Sequence, residues 1–243
     1  MDFLNFEALL KENFKLNGLE DYATEENTAL FYRLTEIMLD VNQMMNVTAI
    51  RDIEKIIPLH YADCVMIAKH IPENARVIDI GCGGGFPTLP LAIVRKDIHI
   101  TGVDSTDKKV RYVADTANKL GLHHVSVISN RAEDLINQPQ MREGFDVAVS
   151  RAVARLNILD ELCLPFVKVG GKAVLMKGAA GQEEFAEAES GIKKLGGDAS
   201  VIEDNLFVSS CVSEARTQIM IQKLSNTPAQ YPRQFGQIKK KPL

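Results

Sequence analysis

The chain predicts an α/β fold, a mostly parallel sheet with helices on both faces, preceded by a helical extension. Three observations carry this reading. From Arg76 onward, short β-branched runs alternate with helical segments, the pattern of successive βαβ units. Before that point, Leu30, Leu34, Ile37, Met38, Val41, Met44 and Met45 recur at spacings of three and four, one apolar stripe on a helix over residues 25–45. Between the two, residues 77–87 read Val-Ile-Asp-Ile-Gly-Cys-Gly-Gly-Gly-Phe-Pro, a buried strand, a glycine loop and a helix start.

The elements follow in order. After the methionine-rich helix, Asn46 to Asp52 breaks the apolar period, and Asp52 is placed to cap a second helical segment that Pro58 interrupts. Strands are expected at 76–80, 98–103, 124–129, 145–150 and 172–177, with two more at 199–207 and 216–224 to make seven. Helices are expected over 106–120 and 182–195, the second ended by Gly196-Gly197. This divides the chain into an N-terminal helical segment packed on the core (1–72), an α/β domain (73–226) and a basic tail (227–243).

Composition sets outer limits. With 46% hydrophobic and 25% charged residues this is an ordinary globular chain, and a net charge of −4 excludes a globally basic nucleic-acid binder. Residues 228–243 carry Arg233, Lys239, Lys240 and Lys241 without an acid, so the tail is +4 and the remainder −8. Such a tail suits either phosphate contact or a solvated terminus. Cys64, Cys82, Cys163 and Cys211 show neither Cys-x-x-Cys pairing nor zinc spacing, so no metal and no disulfide framework is suggested. No apolar run is long enough to span a membrane and the N-terminus lacks the basic start of a signal peptide, which predicts a cytoplasmic protein. Nothing demands a dimer, and a monomer is expected.

The glycine loop narrows the ligand. A dinucleotide fingerprint wants a glycine where Phe86 stands, and a phosphate loop wants Lys followed by Ser or Thr where Phe86-Pro87 stands. What remains is Asp79 two positions before Gly-x-Gly-x-Gly, which resembles motif I of the class I S-adenosylmethionine-dependent methyltransferases. In that family the loop packs against the amino-acid end of the cofactor, and a carboxylate beside it helps to orient the cationic half. Asp104 ends the next strand, twenty-three positions beyond Gly81, close to the spacing of a ribose-binding carboxylate; a helix cap is the alternative, and both can hold.

Residues just after the strands border the ligand cleft of an open α/β sheet. After strand three come Asn130, Arg131, Ala132 and Glu133, where class I methyltransferases contact the adenine; after strand four come Ser150, Arg151 and Ala152, the catalytic corner. No Asn-Pro-Pro-Tyr or Asp-Pro-Pro-Tyr occurs, which argues against methylation of an exocyclic amine, and no Pro-Cys pair occurs to supply the nucleophile for pyrimidine carbon methylation. An acceptor with its own lone pair, such as guanine N7, needs only placement.

Several separated segments then resemble the bacterial 16S (small-subunit) ribosomal RNA guanine-N7 methyltransferase family, also called glucose-inhibited division protein B. They are Asn46 to Asp52, His60 with Asp63, Gly81 to Leu91, Asp104-Ser105 with Lys108-Lys109, Ser150-Arg151-Ala152, Met176-Lys177-Gly178, and Tyr231-Pro232-Arg233 with the closing Lys241-Pro242-Leu243. Cys64, Thr88, Gln234, Phe235 and Ile238 depart from the family pattern. The resemblance implies S-adenosyl-L-methionine as cofactor and a small-subunit RNA or particle as partner. It implies cofactor contacts at Gly81, Phe86, Asp104, Ser105, Thr106, Ala132, Glu133 and Arg151, with Arg151 positioning rather than acting as a base. Lys108, Lys109, Arg131, Lys177, Arg233 and Lys239 are the expected phosphate contacts. A methyltransferase for another acceptor and a non-catalytic cofactor-binding module are the readings left open.

Overall fold

A computed structural model describes residues 1–243. Two N-terminal helices open the chain, α1 (Phe3–Leu16) and α2 (Glu25–Val41). Each is capped as its sequence suggests: the Asn5 amide donates to Asp2 Oδ1 (2.9 Å) and the Asn27 amide to Thr24 Oγ1 (3.2 Å). The helix expected to run to residue 45 stops at Val41, and Met44 is exposed rather than core. Asn42 is the reason. Its carboxamide accepts from the Val47 and Thr48 amides and donates to the Thr48 carbonyl (2.8, 3.1 and 2.9 Å), so the chain turns there instead of continuing the helix.

A short α3 (Ile53–Ile56) follows, with Asp52 accepting from the Glu54 amide, then a π-helical turn (Ile57–Ala62), then α4 (Asp63–Val65). Pro58 lacks an amide hydrogen, and the run passes it by widening into the π turn rather than by breaking.

The sheet comprises β1 (Arg76–Ile80), β2 (His99–Asp104), β3 (Val125–Ser129), β4 (Phe145–Arg151), β5 (Val167–Lys177), β6 (Gly197–Ser209) and β7 (Val212–Lys223). Their order is β3-β2-β1-β4-β5-β7-β6, parallel except for β7, which runs antiparallel to both neighbours. The crossovers are α5 (Thr88–Val94), α6 (Asp107–Lys119), α7 (Ala132–Leu135), α8 (Leu156–Cys163) and α9 (Gly181–Lys194), and α10 (Phe235–Lys240) closes the chain.

Strand alternation distributes the core over the two faces. Val77, Val147, Val149 and Val174 face the N-terminal helices with α5 and α6, while Ile78, Ile80, Ala148, Ala173 and Leu175 face α7 to α10. The N-terminal helices and the sheet therefore share one continuous core, with Phe14, Phe31 and Tyr61 fully buried within it.

Two arrangements were not expected from the sequence. The β6–β7 hairpin is longer than its hydrophobic pattern indicates, and its end is clasped by α1 through Asn13 Nδ2 to the Phe207 carbonyl (3.0 Å) and the Phe207 amide to Asn17 Oδ1 (2.8 Å). The C-terminal segment is likewise packed. Ile238 is fully buried with the cluster of α7 to α9, and Leu243 lies against Gly191 of α9.

Candidate functional site

The glycine loop begins where β1 ends. The Gly81 and Cys82 amides both donate to the Val103 carbonyl (2.8 and 2.9 Å), so the loop leaves the sheet pinned to β2. Gly81 and Gly85 have φ of +76° and +88°, and a Cβ on Gly81 would lie 2.3 Å from Val153 Cγ2, so geometry and space both require glycine there.

Asp79 does not take the role the motif suggested. It is fully buried, and one carboxylate oxygen receives the Thr88 hydroxyl (2.6 Å) and amide (3.2 Å) at the start of α5. Burial pushes it up to about 7, and its other oxygen has no partner. Thr88 supplies the hydroxyl that bonds one oxygen of this acid.

Asp104 sits where β2 ends and does two jobs for the backbone. Oδ2 accepts from the Gly83 amide (3.0 Å) and Oδ1 from the Thr106 amide (2.8 Å), so both the loop and the start of α6 are referenced to one carboxylate. Each oxygen keeps acceptor capacity. Around it lies a cavity of about 530 Å³, bordered by Gly81, Cys82, Gly83, Gly84 and Phe86 from the loop, Asp104, Ser105 and Lys109 after β2, Asn130 to Glu133 after β3, and Arg151 to Val153 after β4. Leu162, Phe235, His60, Ile80 and Val103 complete it. Thr106 does not line it; its backbone is spent on Asp104. A cleft of this volume with glycine on one side, carboxylates at Asp104 and buried Glu133, and apolar walls at Leu162 and Ala132 fits a nucleoside-bearing cofactor.

The corner after β4 is built on charge. Ser150 is buried and donates to the Ile80 carbonyl (2.6 Å), tying the ends of β4 and β1 together, and Ala152 adopts a left-handed φ of +56°. Between them Arg151 extends toward the helical extension. Its Nε pairs with Asp63 Oδ2 (3.0 Å) and its Nη2 donates to the Leu59 carbonyl in the π turn (2.8 Å). Asp63 Oδ1 is held by Arg216 Nε of β7 (2.7 Å), so one buried carboxylate lies between two arginines from different strands.

His60 adjoins this network. Its ring stacks on Phe86 (centroids 4.5 Å apart, 17° between planes) and its Nε2 lies 2.7 Å from Thr48 Oγ1. Nδ1 faces Arg151 Nη1 at 3.4 Å, and a guanidinium can only donate, so Nδ1 is the unprotonated nitrogen. Burial, and secondarily Arg151, push the imidazole down to about 4. A second cavity of about 500 Å³ opens on the far side of Arg151, Ala152 and Val153, bordered by Asp63, Arg155, Met176, Lys177, Gly178, Glu184 and Arg216. The Arg151–Val153 segment is the partition between the two.

The expected phosphate contacts divide into two groups. Lys108 and Lys239 are exposed, and Lys109 and Arg131 border the first cavity. Lys177 is not free for phosphate: its ammonium is almost wholly buried, 2.8 Å from Glu184 and 2.6 Å from the Ala154 carbonyl, where it holds the loop after β4. Arg233 is similarly committed, its amide and guanidinium both bonded to the fully buried Glu161 of α8 (2.6 to 3.2 Å). Neither commitment is written in the local sequence: Glu184 lies on the helix that follows β5, seven residues beyond Lys177, and Glu161 lies 72 residues before Arg233. Arg216, Val153, Leu162 and Phe235 were missed for the same reason. Of these only Arg216 carried a signal, an arginine in an otherwise alternating strand pattern.

Comparison with known proteins agrees with this architecture. Residues 27–210 match the GidB family, described as rRNA small subunit methyltransferase G. Proteins named ribosomal RNA small subunit methyltransferase G are similar along nearly the whole chain. That of Lactobacillus delbrueckii subsp. bulgaricus is 37% identical over 241 residues, covering 98% of this chain and 97% of the relative. Those of Clostridium novyi (41% over 215 residues, 88% of each chain) and Geobacillus thermodenitrificans (37% over 245 residues, all of each chain) are comparable. Among solved structures, TYW2 of M. jannaschii in complex with AdoMet superposes with a TM-score of 0.54 at 15% identity, over 67% of this chain and 75% of that one. The YcgJ protein of Bacillus subtilis gives 0.53 at 17% identity, over 70% of this chain and all of that one. These last likenesses speak to the fold.

Proposed function

The chain belongs to the rRNA small subunit methyltransferase G family, and from that premise we propose that it transfers the methyl group of S-adenosylmethionine to N7 of a guanine in small-subunit (16S) ribosomal RNA, directly and without a general base. The relatives' shared name supports methylation of small-subunit RNA, and the finer choice of atom rests on the chemistry of the site. S-adenosylmethionine, when bound, supplies an electrophilic methyl on its sulfonium; the acceptor lone pair forms the new bond as the carbon–sulfur bond breaks.

One observation carries the choice of acceptor: the titratable side chains nearest Arg151 are already committed, Asp63 to Arg151 and Arg216, and Glu184 to Lys177 and the Leu156 amide. Both nitrogens of His60 are engaged, Nε2 by Thr48 and Nδ1 by Arg151. Cys64 and Cys82 are buried thiols, Cys64 pushed up to about 12 and Cys82 also raised, so neither is a thiolate at neutral pH. Arg151 is always protonated. A site without base or nucleophile suits an acceptor that loses no proton, and guanine N7 is one.

The residues present then act by placement. The loop from Gly81 to Gly85, with Asp104 and Glu133, holds the cofactor in the first cavity; Asp104 accepts from the ribose, and Ala132 and Glu133 meet the adenine. The second cavity receives the guanosine, and Arg151, held from three sides, is the positioning group between them. Fixing donor and acceptor in line across this partition is where most of the acceleration arises. Lys108, Lys109, Arg131 and Lys239 are the cations left for the RNA backbone.

The test is transfer of labelled methyl to small-subunit RNA, and to particles, from cells lacking this protein, with the nucleoside identified by mass spectrometry. The expected product is 7-methylguanosine. Label in any other nucleoside refutes the choice of atom.

A further inference from the structure

The cofactor cavity has a wall that neither the glycine loop nor the strand ends provide. Phe235, the first residue of α10, borders it together with Leu162 of α8 and Ala132 of α7, and packs against the core cluster that contains both. The segment carrying Phe235 is anchored on both sides. Before it, Arg233 grips Glu161, the residue adjoining Leu162 in sequence, through its amide and its guanidinium, and Arg142 donates to the Tyr231 carbonyl. After it, Ile238 is fully buried, and Leu243 packs so closely on α9 that a Cβ added to Gly191 would lie 2.9 Å from the Leu243 Cβ.

We propose that the C-terminal segment Tyr231–Leu243 is a structural wall of the cofactor site, with Phe235 packing against the adenine ring. The inference rests on the reading of the first cavity as the S-adenosylmethionine site. A nucleobase needs flat apolar surface on its faces and polar groups at its edge. Phe235, Leu162 and Ala132 supply the first, while Asn130 and Glu133 border the same cavity and supply the second. Because the anchors lie outside the cavity, Phe235 is positioned before the ligand arrives and costs little ordering on binding. Linkage makes the relation reciprocal: a cofactor that touches Phe235 also holds the tail in place.

The experiment measures the affinities of S-adenosylhomocysteine and of methylthioadenosine, which keeps the adenosine and lacks the amino-acid half, for the full chain and for Phe235→Ala and Phe235→Leu. Trypsin cleavage after the exposed Lys239 and Lys240 is followed in parallel. The expected result is that Phe235→Ala weakens both ligands by a common factor, roughly five- to 150-fold, the range for loss of one base–aromatic contact. Phe235→Leu, which preserves the packing of the tail, falls between the wild type and the alanine variant. S-adenosylhomocysteine slows tail cleavage in the wild type and protects it much less in Phe235→Ala. Wild-type affinity for both ligands in both variants overturns the proposal, as does a defect confined to S-adenosylhomocysteine, which would place the effect at the glycine loop. If Phe235→Ala fails to fold, the leucine variant decides alone. A wild-type chain that binds neither ligand overturns the underlying reading of the cavity instead.

Discussion

Removing Asp63 should cost more than any surface charge change in this protein. Its carboxylate lies 3.0 Å from Arg151 Nε and 2.7 Å from Arg216 Nε, with all three side chains less than one-fifth exposed. Unit charges about 4 Å apart at an effective dielectric near 20 attract by about 4 kcal/mol, and deleting one partner of a buried pair leaves the other desolvated and uncompensated. Asp63→Ala leaves Arg151 without an ionic partner and Arg216 with only the half-exposed Glu214 (3.0 Å), and should lower unfolding free energy by about 3–5 kcal/mol. Arg216→Ala leaves Asp63 paired with Arg151 and should cost about 1.5–3 kcal/mol, the scale of a single charged hydrogen bond. In the double variant the Arg216 that lost its buried partner is gone, so the combined loss should fall short of the sum by about 1 kcal/mol or more. Urea unfolding with unchanged m-values reads these numbers. Because Arg151 also forms the partition between the cavities, methyl transfer should fall in Asp63→Ala even at temperatures where the variant remains folded. A cost below about 1 kcal/mol for Asp63→Ala, or strict additivity with Arg216→Ala, would refute the reasoning that one carboxylate organises the corner.

Two further outcomes follow from the same structure. Burial raises Asp79 to about 7 and Asp160 to about 8, so between their ordinary values near 4 and these pKa values the native chain keeps protons that the unfolded chain has lost. Their contribution is therefore complete below about pH 4 and is lost as pH rises through 7 to 8. Asp79→Asn and Asp160→Asn should each flatten that decline, by about 2–4 kcal/mol between pH 4 and 8, in urea unfolding followed across pH. For RNA binding, Lys108→Ala and Lys239→Ala should each reduce the slope of log affinity against log salt by about 0.7, without altering stability. Lys177→Ala should do the reverse, destabilising the fold through loss of Glu184 and the Ala154 carbonyl while leaving the salt slope unchanged.

By itself the sequence determined the architecture of the sheet and pointed to the residues that border the first cavity. Short-range regularities carry that information: β-branched runs mark β1 to β4, and Asp104 is found by counting one helix and one strand from Gly81. Arg151 stood out because the ends of strands are where such a sheet binds ligands. Partnerships between side chains and the segments packed against them were decided only by the tertiary structure. Asn42 ends α2 by bonding a loop that no propensity points to, and Asp79 turns inward to Thr88 because the strand end is fully covered. Lys177 and Arg233 read as free cations until the fold sets Glu184 and Glu161 against them. Asp63 becomes the centre of the site only when β4 and β7 bring two arginines to it. The physical reason is common to all of these cases. Backbone periodicity repeats every two to four residues and leaves its mark on the local sequence, whereas the partner of a buried charge is fixed by packing that only the complete chain assembles.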